Sequence, residues 1–388
     1  MRPGSRGLQR IAALVFAAVT IPVVACGEGL KTVDYDIQLD TVCSGFDGAK
    51  CWVHPRAGTI PGESPIVVMT MQKLLLSGSD VFYALNEMRT DDLGRTWTGP
   101  VEHGDTLGRR KEDDGIVACV CDFTPKWHAK TGTLLGTGHV ARYKGDHLAK
   151  DYDRQTTYSW YDPEARTWMP WRTVDMPDDP KFYSSGAGST QRVDLPNGDI
   201  LLPFYFRPKG SRISSSAVMR CRFDGETLRY IEHGDEMSVD VPRGLGEPSL
   251  AAFNGRYYLT LRNDEKGYVT SGADGVHFAP PRPWTFDDGE ELGSYNTQQH
   301  WVTHPDALFL VYTRRDPKYD HVFRHRAPLR IAQVDPEHLC VVRSTERELV
   351  PERGARLGNF AVTKVNERET WVTVAEWMQP VGCEKYGS

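Results

Sequence analysis

The recurring hairpin is the feature that most limits what this chain can become. Short runs of β-branched and aromatic residues are broken, again and again, by turns rich in Gly, Asn, Asp or Pro. DLPNGDI (194–200), FNGRY (253–257), THPDAL (303–308) and KVNERET (364–370) are four of them. Such residues supply the positive or preset φ that a tight reversal needs. The hairpins fall into groups of roughly 40–60 residues, the length of one propeller blade. Five groups are well filled, and a shorter sixth begins near Asn359. Amphipathic Ala- or Leu-rich runs are few. The pattern predicts an all-β fold, a six-bladed β-propeller of four-stranded sheets, because a sandwich would need far fewer strands. The stretch Thr32–Asp40 is expected to complete the short last blade and lock the ring.

One turn carries more detail. TDDLGRTW (90–97) follows the strand-like VFYALNEMR. Asp92 can accept backbone N–H groups within the turn, Gly94 supplies a positive φ, and the Trp97 indole can plug a gap beside a neighbouring sheet. Asp92 and Trp97 are therefore expected to be structural.

The first residues belong to targeting. Arg2, Arg6 and Arg10 precede an apolar run, Ile11–Val24, that is too short for an ordinary membrane span. The run ends in VVAC, which resembles a bacterial lipobox and makes Cys26 the expected lipidated residue. The alternative is a plain secretory signal cleaved nearby. Both predict export, to the cell envelope as a lipoprotein or to the periplasm or medium. Three segments are expected: 1–26 as signal, 27–58 as an N-terminal piece able to close the last blade, and 59–388 as the propeller. The formal charge of −6 gives no bulk attraction to nucleic acid. A membrane is expected to be met only through the lipid, and the protein is expected to be a monomer. Cys43 and Cys51 are plausible disulfide partners in an exported chain. Cys119 and Cys121 share a strand face but lack the companions of a zinc site. No metal and no cofactor are expected.

TDDLGRTW followed by GP resembles the Asp-box of the sialidase superfamily, Ser/Thr-x-Asp-x-Gly-x-Thr-Trp. GADGVHF (Asp274) and YDPEARTW (Asp162, Trp168) resemble it only in degenerate form. GEPSLAAFNGRYYLTLRND (246–264) is similar to the sialidase blade with a Glu at the start of the inner strand and an Arg at the end of its partner. The resemblance implies that Glu247 activates a tyrosine nucleophile and that Arg262 binds a substrate carboxylate. Two departures stand beside it. Sialidases carry Phe/Tyr-Arg-Ile-Pro on the first inner strand, where this reading finds ESPIVV (63–68) and no Arg. Tyr295, in GSYNTQQHW, falls one blade before the expected tyrosine.

Propeller ligands bind where the inner strands converge, so the polar residues near those strand starts are the candidates. Glu63, His128, Gln191, Gln298 and Arg262 are read as substrate-binding. Tyr295 is read as nucleophile, Glu247 as its activator, His300 as a general base and Asp80 as the acid. Glu87, Asp113 and Asp114 are lesser acid candidates. Arg314, Arg315, Arg324 and Arg326 flank DPKYDHVF and could form an anion-binding rim. The expected partner is a carbohydrate. Three functions stay open: an exo-acting, sialidase-like glycoside hydrolase on a terminal acidic sugar, a propeller polysaccharide lyase on uronate glycans, and a glycan-binding propeller without chemistry.

Overall fold

The computed structural model describes residues 30–77, 80–149 and 153–377. The signal-like segment and Cys26 lie outside them. The described residues hold no α-helix, only strands and short 3-10 turns. Five antiparallel sheets have four or more strands, and a sixth pairs Ala361–Lys364 with Thr370–Thr373. The first sheet runs in order through Lys50–Ile60, Ile66–Leu75, Phe82–Thr90 and Thr98–Glu102. The others repeat this up-and-down plan, so this is a β-propeller arrangement.

Inner strands meet one another around a central axis. Lys50–Ile60 packs on Ile116–His128 of the second sheet and on Ala361–Lys364 of the last. Gly246–Phe253 of the fourth packs on the third sheet and on His300–His304 of the fifth. The apolar core is divided among the interfaces between sheets. Ala57, Met69, Met88 and Val365 fill the space between first and last sheets, with Trp97 and Trp371 against them. A sheet packed on both faces reads as a nearly continuous buried run, as in Val67–Met71 or Leu308–Tyr312. This is why the sequence shows apolar stretches with little alternation.

The turn that leaves the third strand of each large sheet has one recipe. Asp92 Oδ1 accepts from the Thr96 amide at 2.9 Å and Oδ2 from the Thr96 hydroxyl at 2.7 Å. Asp162, Asp224, Asp274 and Asp335 each accept two following backbone amides in the same place. Gly94 has φ +81, and a Cβ there would meet the Trp371 indole at 3.3 Å. Trp97 reaches Trp371 at 5.9 Å between ring centroids, so this hairpin ties the first sheet to the last.

Three expectations change here. The first inner strand is Lys50–Ile60, one strand earlier than ESPIVV, so residues 50–58 belong to the first sheet. Glu63 lies exposed in the hairpin that follows that strand. The stretch near Thr32–Asp40 forms no strand and leans on the fifth sheet, where the Val33 amide donates to Gln333 and Tyr35 meets Phe309 edge-on. Cys43 and Cys51 do not form the expected disulfide with each other.

Candidate functional site

Each of the six sheets places one non-glycine residue in the left-handed backbone region beside the central axis. They are His54, Asp122, Ser189, Glu247, Asn296 and Asn359, with φ of 56, 53, 57, 43, 49 and 64°. On the first, second and fourth sheets a β-bulge sits at this residue, where the strand register slips. A bulge re-aims a side chain out of the pleat, and non-glycine residues held at positive φ concentrate at functional sites. All six carry polar side chains.

Two linked clusters result. In the first, Arg56 Nη2 donates to Asp122 Oδ1 at 2.7 Å and to Ser189 Oγ at 2.8 Å, and Ser189 Oγ donates to Asp122 Oδ1 at 2.7 Å. His54 Nε2 stands 3.6 Å from Asp122, and His139 Nε2 stands 3.7 Å from its other oxygen. Burial alone would raise the Asp122 carboxyl, but His54, Arg56 and His139 outweigh it and hold the group well below the usual carboxylate range. His139 is pushed down to about 3 by burial and by the Arg154 cation. Tyr205 places its hydroxyl 3.3 Å from His139 Nδ1.

The second cluster sets two arginines among acids and an asparagine. Arg262 Nη1 donates to Glu247 Oε1 at 2.5 Å, and its Nη2 donates to Asn296 Oδ1 at 2.7 Å. Asp264 lies 3.7 Å away. Arg326 Nη2 donates to the Asn296 carbonyl at 3.1 Å. Burial and the neighbouring Arg262 and Arg324 pull Arg326 down to about 9, which leaves it a cation at neutral pH. Asp80 is exposed, and its charge is felt by both His54 and Arg326. It therefore faces the space between the clusters.

Cys121, Asp122 and His139 offer ligand atoms within 4.8 Å of one another. Arg56 already neutralises that carboxylate, and Arg154 adds a second positive field, which opposes a metal cation there.

The structure brings Glu247, Arg262 and Asp80 to this end of the axis. It puts Tyr295 at the rim, half-buried, under the Arg315 guanidinium at 4.4 Å and 6.0 Å from His325. His300 is buried behind the site. Its Nδ1 bonds Ser249 Oγ at 2.8 Å, its ring abuts Phe360, and burial holds it down to about 3. His128 bonds Thr131 and the Gly198 carbonyl, which leaves the buried ring no nitrogen for a ligand. Gln298 is buried and donates to the Phe360 carbonyl. Gln191 is paired with the Trp301 backbone and lines a cavity of about 360 Å³ with Thr59, Thr124, Leu250 and Thr363. On the inner strands these cavity residues follow the site residues, so Gln191 marks the opposite mouth. Glu87 is locked to Tyr161 and His103, while Asp113 and Asp114 lie in an exposed turn. Arg314 is held by Glu346.

Arg56, Asp122, His139, Tyr205 and Asn296 escaped the sequence reading. Their signal was a charge or imidazole inside an otherwise apolar strand, as in HPRAGTI, CVCDF and GTGHV.

No protein-family model matches the chain, and no curated protein does. Solved structures with the same fold include the Hadza microbial sialidase Hz136, with a TM-score of 0.58 at 15% identity over 84% of this chain and 66% of that one. Trypanosoma rangeli sialidase in complex with sialic acid gives 0.57 at 12% identity, over 88% and 57%. The K499G mutant of NanB sialidase from Streptococcus pneumoniae gives 0.61 at 11% identity, over 89% and 68%. The chain thus has a sialidase-like propeller fold and spans roughly half to two thirds of these proteins' length.

Proposed function

We propose that this chain is an exported, six-bladed propeller glycosidase that removes a terminal acidic sugar from a glycan. The observation that carries the reading is Arg262, buried yet fully formed as a cation between Glu247 and Asn296, with Arg326 on the other side of Asn296. Two guanidinium groups braced by one asparagine make a fork for a carboxylate, and charge-assisted hydrogen bonds of this kind are the strong ones. Asp80 is the group with access to a leaving oxygen and acts as the acid. Tyr295 and Arg315 shape the rim. The six left-handed residues, one per sheet, support counting the two-stranded last sheet as a blade. The fold is shared with sialidases, one of them solved with sialic acid, which supports a carbohydrate partner.

Calorimetry with sialic acid, glucuronic acid and a neutral hexose tests the reading, together with release of methylumbelliferone from the matching glycosides. Binding and turnover restricted to the acidic sugars are expected. A preference for the neutral sugar would refute the assignment. We also propose that lipid on Cys26 holds the protein at the cell envelope. Cys26→Ser should move it to the soluble fraction with its fold intact, and a wild-type protein already soluble would exclude the anchor.

A further inference from the structure

The arginines around the acidic-sugar site fall into two kinds. Arg262 is bound to Glu247, Arg314 to Glu346 at 2.8 Å and Arg330 to Asp316 at 2.7 Å. Arg315 and Arg324 differ. Among the described residues neither side chain makes an ion pair or a hydrogen bond, and each guanidinium lies over an aromatic ring, Arg315 over Tyr295 at 4.4 Å and Arg324 over Phe323 at 5.0 Å.

Both stand next to the carboxylate fork. They belong to the segment 313–328, between the strands Ala307–Tyr312 and Leu329–Asp335 of the fifth sheet. The Arg315 amide donates to the Gly293 carbonyl at 2.8 Å, which pins it to the loop that carries Tyr295 and Asn296. Arg324 is two residues from Arg326, and its positive field is felt there. Arg326 in turn donates to the Asn296 carbonyl, and its packing is tight: a Cβ at Gly358 would fall 2.7 Å from Arg326 Nη1.

The backbone is bent to place Arg324. Arg324 and His325 have φ of 57 and 50°, two successive non-glycine residues in the left-handed region. Such backbone persists only where the surrounding structure imposes it, and it concentrates at ligand sites. His325 has a buried Nδ1 without a hydrogen-bond partner, and its ring meets Tyr295 edge-on at 6.0 Å. Asp320, 3.8 Å from His325 Nε2, pairs with neither guanidinium. The rim thus holds two unpaired guanidinium groups and an unused imidazole nitrogen. Guanidinium groups bind oxyanions through charge-assisted hydrogen bonds. The fork of Arg262 and Arg326 accounts for the carboxylate of the terminal sugar, so the rim cations are matched to a second anionic group further along the chain.

We infer, on the acidic-sugar reading above, that the substrate is a polyanionic glycan, in which Arg315 and Arg324 hold an oxyanion, a sulfate ester or a carboxylate, on the sugar next to the one released. Arg314, tied to Glu346, takes no part.

The test uses the full chain and disaccharides of two terminal acids, sialic acid on galactose and glucuronic acid on N-acetylgalactosamine. Each is supplied plain and with a sulfate on the second sugar, and versions with a uronate as second sugar supply the carboxylate arm. Release of the free acid gives kcat/KM. The ratio of anionic to plain substrate is read within each protein, so a change common to both cancels. Wild type is expected to favour an anionic second sugar by about tenfold or more, the size that one hydrogen bond to a charged group supplies. The double variant Arg315→Gln, Arg324→Gln, its fold checked by melting temperature, should bring the ratio to within about twofold of one. Arg324→Glu alone should turn it below one. A preference shown with only one of the two groups supports the inference and identifies that group. A wild-type ratio near one for sulfate and carboxylate alike, or a preference that survives the double substitution, would overturn the inference and leave the acidic-sugar reading standing. Wild-type protein that binds neither free acid and releases none from any of these substrates ends both readings together.

Discussion

Arg262 and Glu247 face each other across the open end of one hairpin, with Nη1 2.5 Å from Oε1. Gly246 and Arg262 are register partners, and the slip between Gly246 and Ser249 turns Glu247 inward. Burial by itself would weaken the guanidinium's hold on its proton, but Glu247 reverses this and raises Arg262 above the ordinary arginine value. The guanidinium stays charged in a dry place because Glu247 balances it.

The first prediction follows from that pair. Arg262→Ala should weaken binding of sialic or glucuronic acid by about 1.5–3 kcal/mol, the range for hydrogen bonds to charged groups, and should leave a neutral hexose unaffected. Calorimetry on folded variant reads both. Equal losses for charged and neutral sugars would mean that Arg262 supports the fold of the site and does not contact the carboxylate.

The fold was legible in the sequence because turns are local. An Asp that accepts amides just after it needs only its own chain; four sheets close their outer turn with two such amides, and Asp92 does so through the Thr96 amide and hydroxyl. The site was half legible. Glu247 and Arg262 belong to one hairpin, so sixteen residues of sequence hold both. Asp122, His139 and Tyr205 come from two sheets, and nothing in CVCDF announces that a bulge turns Asp122 toward the axis. The first inner strand was missed for a related reason. The register slip between Val53 and Arg56 is the bulge that lets Arg56 reach Asp122, and no local turn signal marks it.

Acid stability should report the turns. Hydrogen bonds to Thr96 and Thr90 hold the Asp92 carboxyl down to about 2, and Asp274 is likewise held to about 2 once its backbone and His277 bonds outweigh burial. Free aspartate titrates near ~3.9, so between the two values the unfolded chain binds more protons. The stabilisation is therefore complete above about pH 4 and is lost as pH falls toward 2. Asp92→Ala should lower the melting temperature at pH 7 and flatten its fall between pH 4 and 2, with activity per folded molecule retained. A variant that keeps its melting temperature but loses turnover would place Asp92 in the chemistry.

The two tryptophans that join the first and last sheets should be coupled. Trp97 and Trp371 are tilted at 46° with centroids 5.9 Å apart. A double-mutant cycle to Ala should give an interaction of about 0.5–1.5 kcal/mol, as for other aromatic pairs. Additive losses in denaturant melts would show that the ring is closed by Ala57, Met69 and Val365 without help from the hairpin.

Gly188 offers the sharpest structural test of the His139 environment. An added Cβ would land 1.9 Å from His139 Nδ1 and 2.8 Å from Asp122 Cβ. Neither neighbour can give way freely: Asp122 is pinned by Arg56 and Ser189, and His139 is boxed in by Tyr205. Gly188→Ala should thus cost about 1–3 kcal/mol, the usual range for overpacking, and should break the Tyr205–His139 contact as the imidazole swings away. Gly186→Ala meets His139 at the more lenient 2.9 Å and should cost less. Urea melts rank the two. A Gly188→Ala protein as stable as wild type would mean that the pocket around His139 is wider than these contacts allow, and that the imidazole is free to turn.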